Sequence, residues 1–186
     1  MKVKKKFNPR IKARLRKNRQ TLSIKIDNFF GWIKGAKLVE LKECNVAEDP
    51  VRPELDNTFR TGFGRKIYGV VYKGEIHAVM CFAYTNKIPK SVDELEKLST
   101  DAFLQTAMRD QAGGQIAIAY TVWSKKKGGG KLIVKEVFKK IKKSNHLNRL
   151  VTLSPLTDMA TKFHERNGAK LIQINETTQN FEYKVL

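Results

Sequence analysis

The chain has 186 residues, 41% of them apolar, and 37 Lys+Arg against 18 Asp+Glu give it a formal charge of +19. That length sets an expectation of one domain with a real core, and the charge points to a polyanionic partner, with nucleic acid ahead of an acidic protein or an anionic membrane surface. No apolar run approaches the roughly 20 residues of a membrane helix, so no membrane span is expected. The N-terminus is basic but lacks the apolar stretch of a signal peptide, and the expected compartment is the cytoplasm. Cys44 and Cys81 stand far apart in apolar contexts, which suits buried thiols. His77, His146 and His164 have no ligand spacing, so no metal site is expected.

In chain order, residues 1–20 read as a basic tail and 21–186 as a single domain. Residues 1–19 hold ten Lys or Arg and no acid. Blocks of this kind gain affinity for phosphates by counterion release. Lys4, Lys5, Lys6, Arg10, Lys12, Arg14, Arg16, Lys17 and Arg19 are therefore candidate nucleic-acid contacts, with residues 10–19 able to form a basic helix. Phe29, Phe30 and Trp32 suit a core better than a stacking platform. Residues 36–43 alternate as a strand, 54–61 suit a short helix, and 67–73 with 75–85 form a hairpin about Gly74. Ser91 and Glu94 make a capping box for a helix running toward Met108.

The stretch 115–143 organises the rest. Residues 116–123 are a nearly unbroken apolar run that reads as a buried strand. Lys125, Lys126 and Lys127 follow, then Gly128, Gly129 and Gly130, then Lys131. From Leu132 the apolar residues recur at helical spacing. A glycine turn feeding a helix N-terminus presents unpaired N–H groups and partial positive charge, which makes an anion site, phosphate first. Lys135, Lys139, Lys142 and Lys143 continue a basic stripe along that helix as further nucleic-acid candidates. Residues 150–154 form another strand, 157–167 a helix stopped by Gly168, and 169–174 with 180–186 a closing pair of strands. Helices interspersed among strands of a mixed sheet describe an α/β or α+β domain.

This order, with two local motifs, resembles the GNAT N-acyltransferase superfamily. The family's coenzyme loop has the form (Gln/Arg)-x-x-Gly-x-(Gly/Ala), and Lys125 to Gly130 fits it with Lys125 in first place. The resemblance implies a mostly antiparallel sheet flanked by helices. It also implies binding of acetyl-CoA or another acyl-CoA, with its pyrophosphate on the N–H groups of 126–131. The strand end at Tyr120, Val122 and Trp123 would pair with the pantetheine and offer an N–H to the thioester oxygen. The family's second motif, Asn-x-x-Ala-x-x-(Phe/Leu)-Tyr-x-x-x-Gly-Phe, is matched at Ala160, Phe163 and Gly168. It departs at Thr157, at Ala169, and at His164 in the place of the Tyr that often protonates the leaving thiolate. Histidine can serve as that acid.

For the amine proton the candidates are Asp101, Asp110 and Asp158, with Asp101 favoured for its apolar setting. Ser154 ends a strand where an acceptor pocket would open, but a serine nucleophile needs a paired base, and sequence does not pair it with His164. The function expected is acyl-CoA-dependent N-acyl transfer on or near nucleic acid, DNA ahead of RNA. Within that class the layout looks loosely like Mom-type phage DNA-modification proteins, which would place the chain in host cytoplasm or virion. The alternative is a non-catalytic nucleic-acid-binding or virion-associated protein that keeps the fold.

Overall fold

The computed structural model describes residues 13–19, 31–109 and 114–184, and the chain divides into two compact units, Met1–Ala36 and Lys37–Leu186. In the first unit residues 13–19 and 31–35 are helical. Arg14, Arg16, Lys17 and Arg19 are exposed there, and Trp32 is buried rather than offered as a platform. Lys4, Lys5, Lys6, Arg10, Lys12, Phe29 and Phe30 lie outside the described residues.

The second unit carries the sheet. Its strands are β1 (Lys37–Leu41), β2 (Lys66–Tyr72), β3 (Glu75–Thr85), β4 (Ile116–Ser124), β5 (Arg149–Thr152), β6 (Ser154–Pro155), β7 (Ala169–Ile174) and β8 (Thr178–Tyr183). Its helices are α1 (Asn57–Thr61), α2 (Val92–Arg109), α3 (Gly129–Lys142) and α4 (Asp158–Arg166). Sheet order is β1-β2-β3-β4-β5-β8-β6, with β7 on β8, and every pairing except β4 with β5 is antiparallel. This is the mixed sheet with interspersed helices that the residue pattern anticipates, and it is mostly antiparallel and flanked by helices as the resemblance implies.

Local chemistry sets each boundary. The β2–β3 hairpin turns on Lys73 (φ 52°) and Gly74 (φ 80°), both left-handed, as a two-residue turn of matching twist requires. Ser91 Oγ accepts the Glu94 N–H at 3.1 Å, and Glu94 Oε2 accepts the Lys90 N–H at 2.7 Å, so the capping interactions open α2. Thr157 accepts from the Ala160 N–H, and Gly168 (φ 87°) ends α4.

Strand alternation divides the core between the two faces of the sheet. Ile67, Val79, Cys81, Ile116, Ile118 and Tyr120 pack with Leu95 of α2 on one side. The other side receives α3, whose buried stripe is Ile133, Val134, Val137 and Ile141. Cys44 and Cys81, distant in sequence, are both free and buried. The Cys81 side chain holds the Cys44 thiol below its usual range, while burial pushes Cys81 up.

Candidate active site

The site begins with a failure of strand pairing. β4 and β5 run parallel for four register pairs, Ile116↔Arg149 to Ala119↔Thr152, and the Leu153 N–H closes the ladder on Ala119 O at 2.9 Å. Past that point β6 turns to pair with β8, while β4 continues against β3. The β3–β4 register slips between Cys81↔Thr121 and Phe82↔Ala119, which leaves Tyr120 as the extra residue of a bulge. A bulge bends its strand and raises local twist, so β4 swings away from β5. The gap is a cavity of about 330 Å³, walled by Tyr120, Val122 and Trp123 on one side and by Ser154, Phe163 and His164 on the other.

A buried polar cluster props the bulge. Asp49 accepts from the Thr121 hydroxyl at 2.8 Å, from Arg60 Nη2 at 2.8 Å, and from the N–H groups of Val51 and Arg52. Arg60 also donates to Leu55 O, Arg52 O and Cys81 Sγ, and its guanidinium lies 5.5 Å from the centre of the Trp123 ring. Burial alone would lower the Arg60 pKa, but the Cys81 and Asp49 side chains more than reverse that. Arg52 Nη2 donates to Leu153 O at 3.0 Å, which ties the same loop to the β5 side of the gap.

One end of the cavity reaches the start of α3 through Lys125 and Gly130. Gly128 caps that helix at φ 87° with no side-chain capping bond. The Gly129 N–H donates to Lys126 O at 2.9 Å and the Leu132 N–H to Gly128 O at 3.0 Å, which leaves the Gly130 and Lys131 N–H groups without an intrahelical acceptor. The three glycines serve different ends. Gly128 supplies the left-handed turn, whereas Gly129 and Gly130 already belong to the helix rather than to a loop. A Cβ at Gly129 would stand 3.1 Å from His77 O and Ser124 Cβ, and one at Gly130 would stand 3.0 Å from Phe163. These two let the helix end pack against β3, β4 and α4. Lys125 Nζ pairs with Glu48 at 2.6 Å, with both side chains partly exposed. Lys127 and Lys131 are exposed, and Lys126 is half-buried.

The chemistry lies on the far wall. His164 Nε2 is 2.7 Å from Ser154 Oγ, and Nδ1 is 2.9 Å from the Tyr183 hydroxyl. Ser154 Oγ is in turn 3.1 Å from Thr152 Oγ1, which accepts the Phe181 N–H. The imidazole stacks on Phe181 and meets Phe163 edge-on, so its orientation is held from both sides. Two proton arrangements satisfy the row. In one, Tyr183 donates to Nδ1, Nε2–H to Ser154, and Ser154 to Thr152. In the other every bond is reversed, and Ser154 donates to Nε2.

Burial lowers the His164 pKa to about 4, so the ring is neutral at physiological pH. Unfolded, the same ring takes a proton near pH 6.5. Between the two values the unfolded chain binds more protons, so this contribution to stability is full above about pH 6.5 and is lost as pH falls toward 4. The loss expected from this residue is about 3 kcal/mol. Urea unfolding at pH 7 and pH 4 checks it, and a His164→Gln protein should show a flatter difference.

Structure thus joins Ser154 to His164 and adds two partners that sequence reasoning missed, Tyr183 and Thr152. Neither carries a motif, because both are set by where β8 and β5 meet. Tyr120, Val122, Trp123, Lys125 and Gly130 line the cavity. The Trp123 Nε1–H is buried without a partner among the described residues. Neither of the two described candidates for the carboxylate base is brought there. Asp101 is exposed on α2, the Asp158 side chain is 95% exposed, and neither lines the cavity, while Asp110 lies outside the described residues. Asp101 occupies the exposed face of its helix despite its apolar neighbours in sequence. Among the lining residues the carboxylate is Glu48, in the 3₁₀ turn Val46–Glu48. Lys135, Lys139, Lys142 and Lys143 lie along the exposed side of α3, with Lys139 paired to Glu136 at 2.7 Å.

A bulged β4 splayed from β5, with a glycine-led helix between them, defines the GNAT-like fold. Solved structures of that fold superpose on most of the chain. One is a GphF GNAT-like decarboxylase in complex with isobutyryl-CoA, with TM-score 0.63 and 11% identity over 81% of this chain and 100% of that one. Another is the loading GNATL domain of CurA from Lyngbya majuscula, with TM-score 0.57 and 13% identity over 80% and 97%. A third is a Bacillus subtilis acetyltransferase in complex with CoA, with TM-score 0.56 and 13% identity over 81% and 99%. No protein-family model matches the chain, and no curated protein matches its sequence. At such identities the likeness is one of fold.

Proposed function

We propose that the protein is an acyl-CoA-dependent acyltransferase whose thioester and acceptor meet in the gap between β4 and β5. The observation that carries this is the buried Ser154–His164–Tyr183 row on the wall of a groove that ends at an uncapped helix N-terminus. When bound, an acyl-CoA supplies the activated acyl group. The N–H groups opening α3, with Lys126, Lys127 and Lys131, suit its pyrophosphate. The unpaired edge of β4 at Val122 suits its pantetheine arm. At neutral pH the His164 ring is uncharged, so it can take a proton on the acyl-transfer path and return it to the departing thiolate.

Calorimetric titration with acetyl-CoA tests the coenzyme site. A Lys127→Glu, Lys131→Glu protein should bind at least about tenfold more weakly, since bonds to charged groups contribute about 1.5–3 kcal/mol each. Equal binding by both proteins would remove the pyrophosphate assignment. A substitution at Gly129 would not report on phosphate, because it also displaces the helix from the sheet.

We place the reaction on or beside nucleic acid, DNA ahead of RNA, with phage DNA-base modification as one specific form. The +19 charge, the exposed basic helix at 13–19 and the lysine side of α3 support this. Duplex DNA affinity should fall steeply with salt and weaken on removal of residues 1–20. A salt-independent affinity would sink that part alone. A second reading, loss of carbon dioxide from a carboxyacyl-CoA, is favoured by the apolar lining around Ser154 and His164 and by the fold shared with the GphF decarboxylase. Carbon dioxide release from malonyl-CoA separates it from acyl transfer.

A further inference from the structure

We propose that Ser154 carries the acyl group covalently during turnover, so that the protein works through an acyl-serine ester rather than by direct attack of the acceptor. This rests on the acyl-CoA assignment of the groove and goes beyond it. A serine hydroxyl becomes a nucleophile when a base within hydrogen-bond reach is itself oriented by a third group. Here the base is His164 Nε2, 2.7 Å from Ser154 Oγ, and the orienting group is the Tyr183 hydroxyl, 2.9 Å from Nδ1. Phe181 and Phe163 pin the ring, with centroids 5.0 and 5.1 Å away. In the arrangement with Nδ1–H donating to Tyr183, Nε2 is an acceptor and the Ser154 proton points at it.

A buried serine–histidine bond often has a purely packing role. Two facts set this one apart. Ser154, His164 and Tyr183 all line the cavity, so the row borders the space a thioester would enter. Ser154 is also only 4% exposed, which shields an ester from bulk water.

The step balances. Ser154 Oγ attacks the thioester carbonyl carbon and gives its proton to His164 Nε2. The C–S bond then breaks with its electron pair on sulfur, and the Nε2 proton passes to that sulfur. Free CoA thiol, neutral imidazole and an ester on Ser154 remain. In the second half an amine acceptor, or water in its absence, gives a proton to Nε2 as it attacks the ester carbonyl. The Ser154 oxygen leaves and takes that proton back.

The test mixes full-length protein with acetyl-CoA and no acceptor, quenches rapidly, and reads intact mass, peptide maps and free thiol. The expected result is one acetyl group on Ser154 and a burst of CoA matching the enzyme concentration. Ser154→Ala should lose adduct and burst while still binding acetyl-CoA by calorimetry. Ser154→Cys, nearly the same size, should trap the acyl group on sulfur and covers the case in which the alanine protein folds poorly. His164→Gln should slow acylation by about 100-fold or more. Acetyl-CoA binding with no adduct, and with CoA release unchanged in Ser154→Ala, overturns the covalent step and leaves direct transfer. Absence of acetyl-CoA binding overturns the coenzyme assignment itself.

Discussion

Replacing His164 by alanine is expected to lower kcat for acyl transfer by about two to four orders of magnitude, the usual span for losing a positioned acid–base group. The imidazole is the one residue that touches both hydroxyls of the row, Ser154 at 2.7 Å and Tyr183 at 2.9 Å. Without it Ser154 retains only the Thr152 hydroxyl, which cannot take a full proton at neutral pH. Affinity for acetyl-CoA should change little, because the pyrophosphate and pantetheine contacts assigned above lie on β4 and α3. That split between kcat and binding distinguishes a chemical role from collapse of the site. The substitution also leaves a void beside Phe181 and two hydroxyls short of a partner, at about 1–3 kcal/mol for an unsatisfied buried group. Assays should therefore run well below the melting temperature. Activity within about threefold of wild type would remove His164 from the mechanism.

The largest stability effect is expected at Arg60. Arg60→Met should cost about 3–5 kcal/mol, the range for breaking a buried ion pair by removing one partner. Its pair with Asp49, at 2.8 Å, has no exposed surface on either side chain. Methionine fills the space without neutralising the Asp49 carboxylate, which would keep only the Thr121 hydroxyl and two backbone N–H groups. For a unit of this size the melting temperature should fall by about 10 °C. By contrast, Lys66→Met removes an exposed pair with Glu40, about 42% and 48% accessible, and should change stability by less than about 1 kcal/mol. Thermal unfolding of the two proteins side by side decides the matter, and equal small shifts would show that the Asp49 cluster does not hold the bulge.

Most elements were legible because the periods are clean. β2 and β3 alternate around a Lys-Gly turn, α3 shows a clean helical period and α4 brings its own cap, so bounds fall within a few residues of expectation. The α3 start was placed late, since the glycines look like loop while two of them are the helix's first turn. The relay was half legible. Ser154 and His164 stand ten residues apart on a strand and a helix, and nothing in that spacing says their side chains meet. Asp49, Arg52 and Arg60 were illegible as a group, because their partners at Thr121 and Leu153 are 72 and 101 residues distant. Contacts of that kind are set by topology, which a local pattern does not encode.

The splayed strands have one more consequence. The groove exists because two neighbouring backbones part company after four rungs, not because particular side chains excavate it. A gap made of main chain survives almost any turnover of residues along its walls, provided the bulge and its anchor persist. Such a scaffold can keep its slot while the sequence around it drifts beyond easy detection, and its reaction can be exchanged by altering only the few groups that border the opening. Low identity to structures of the same architecture is what that freedom would leave behind.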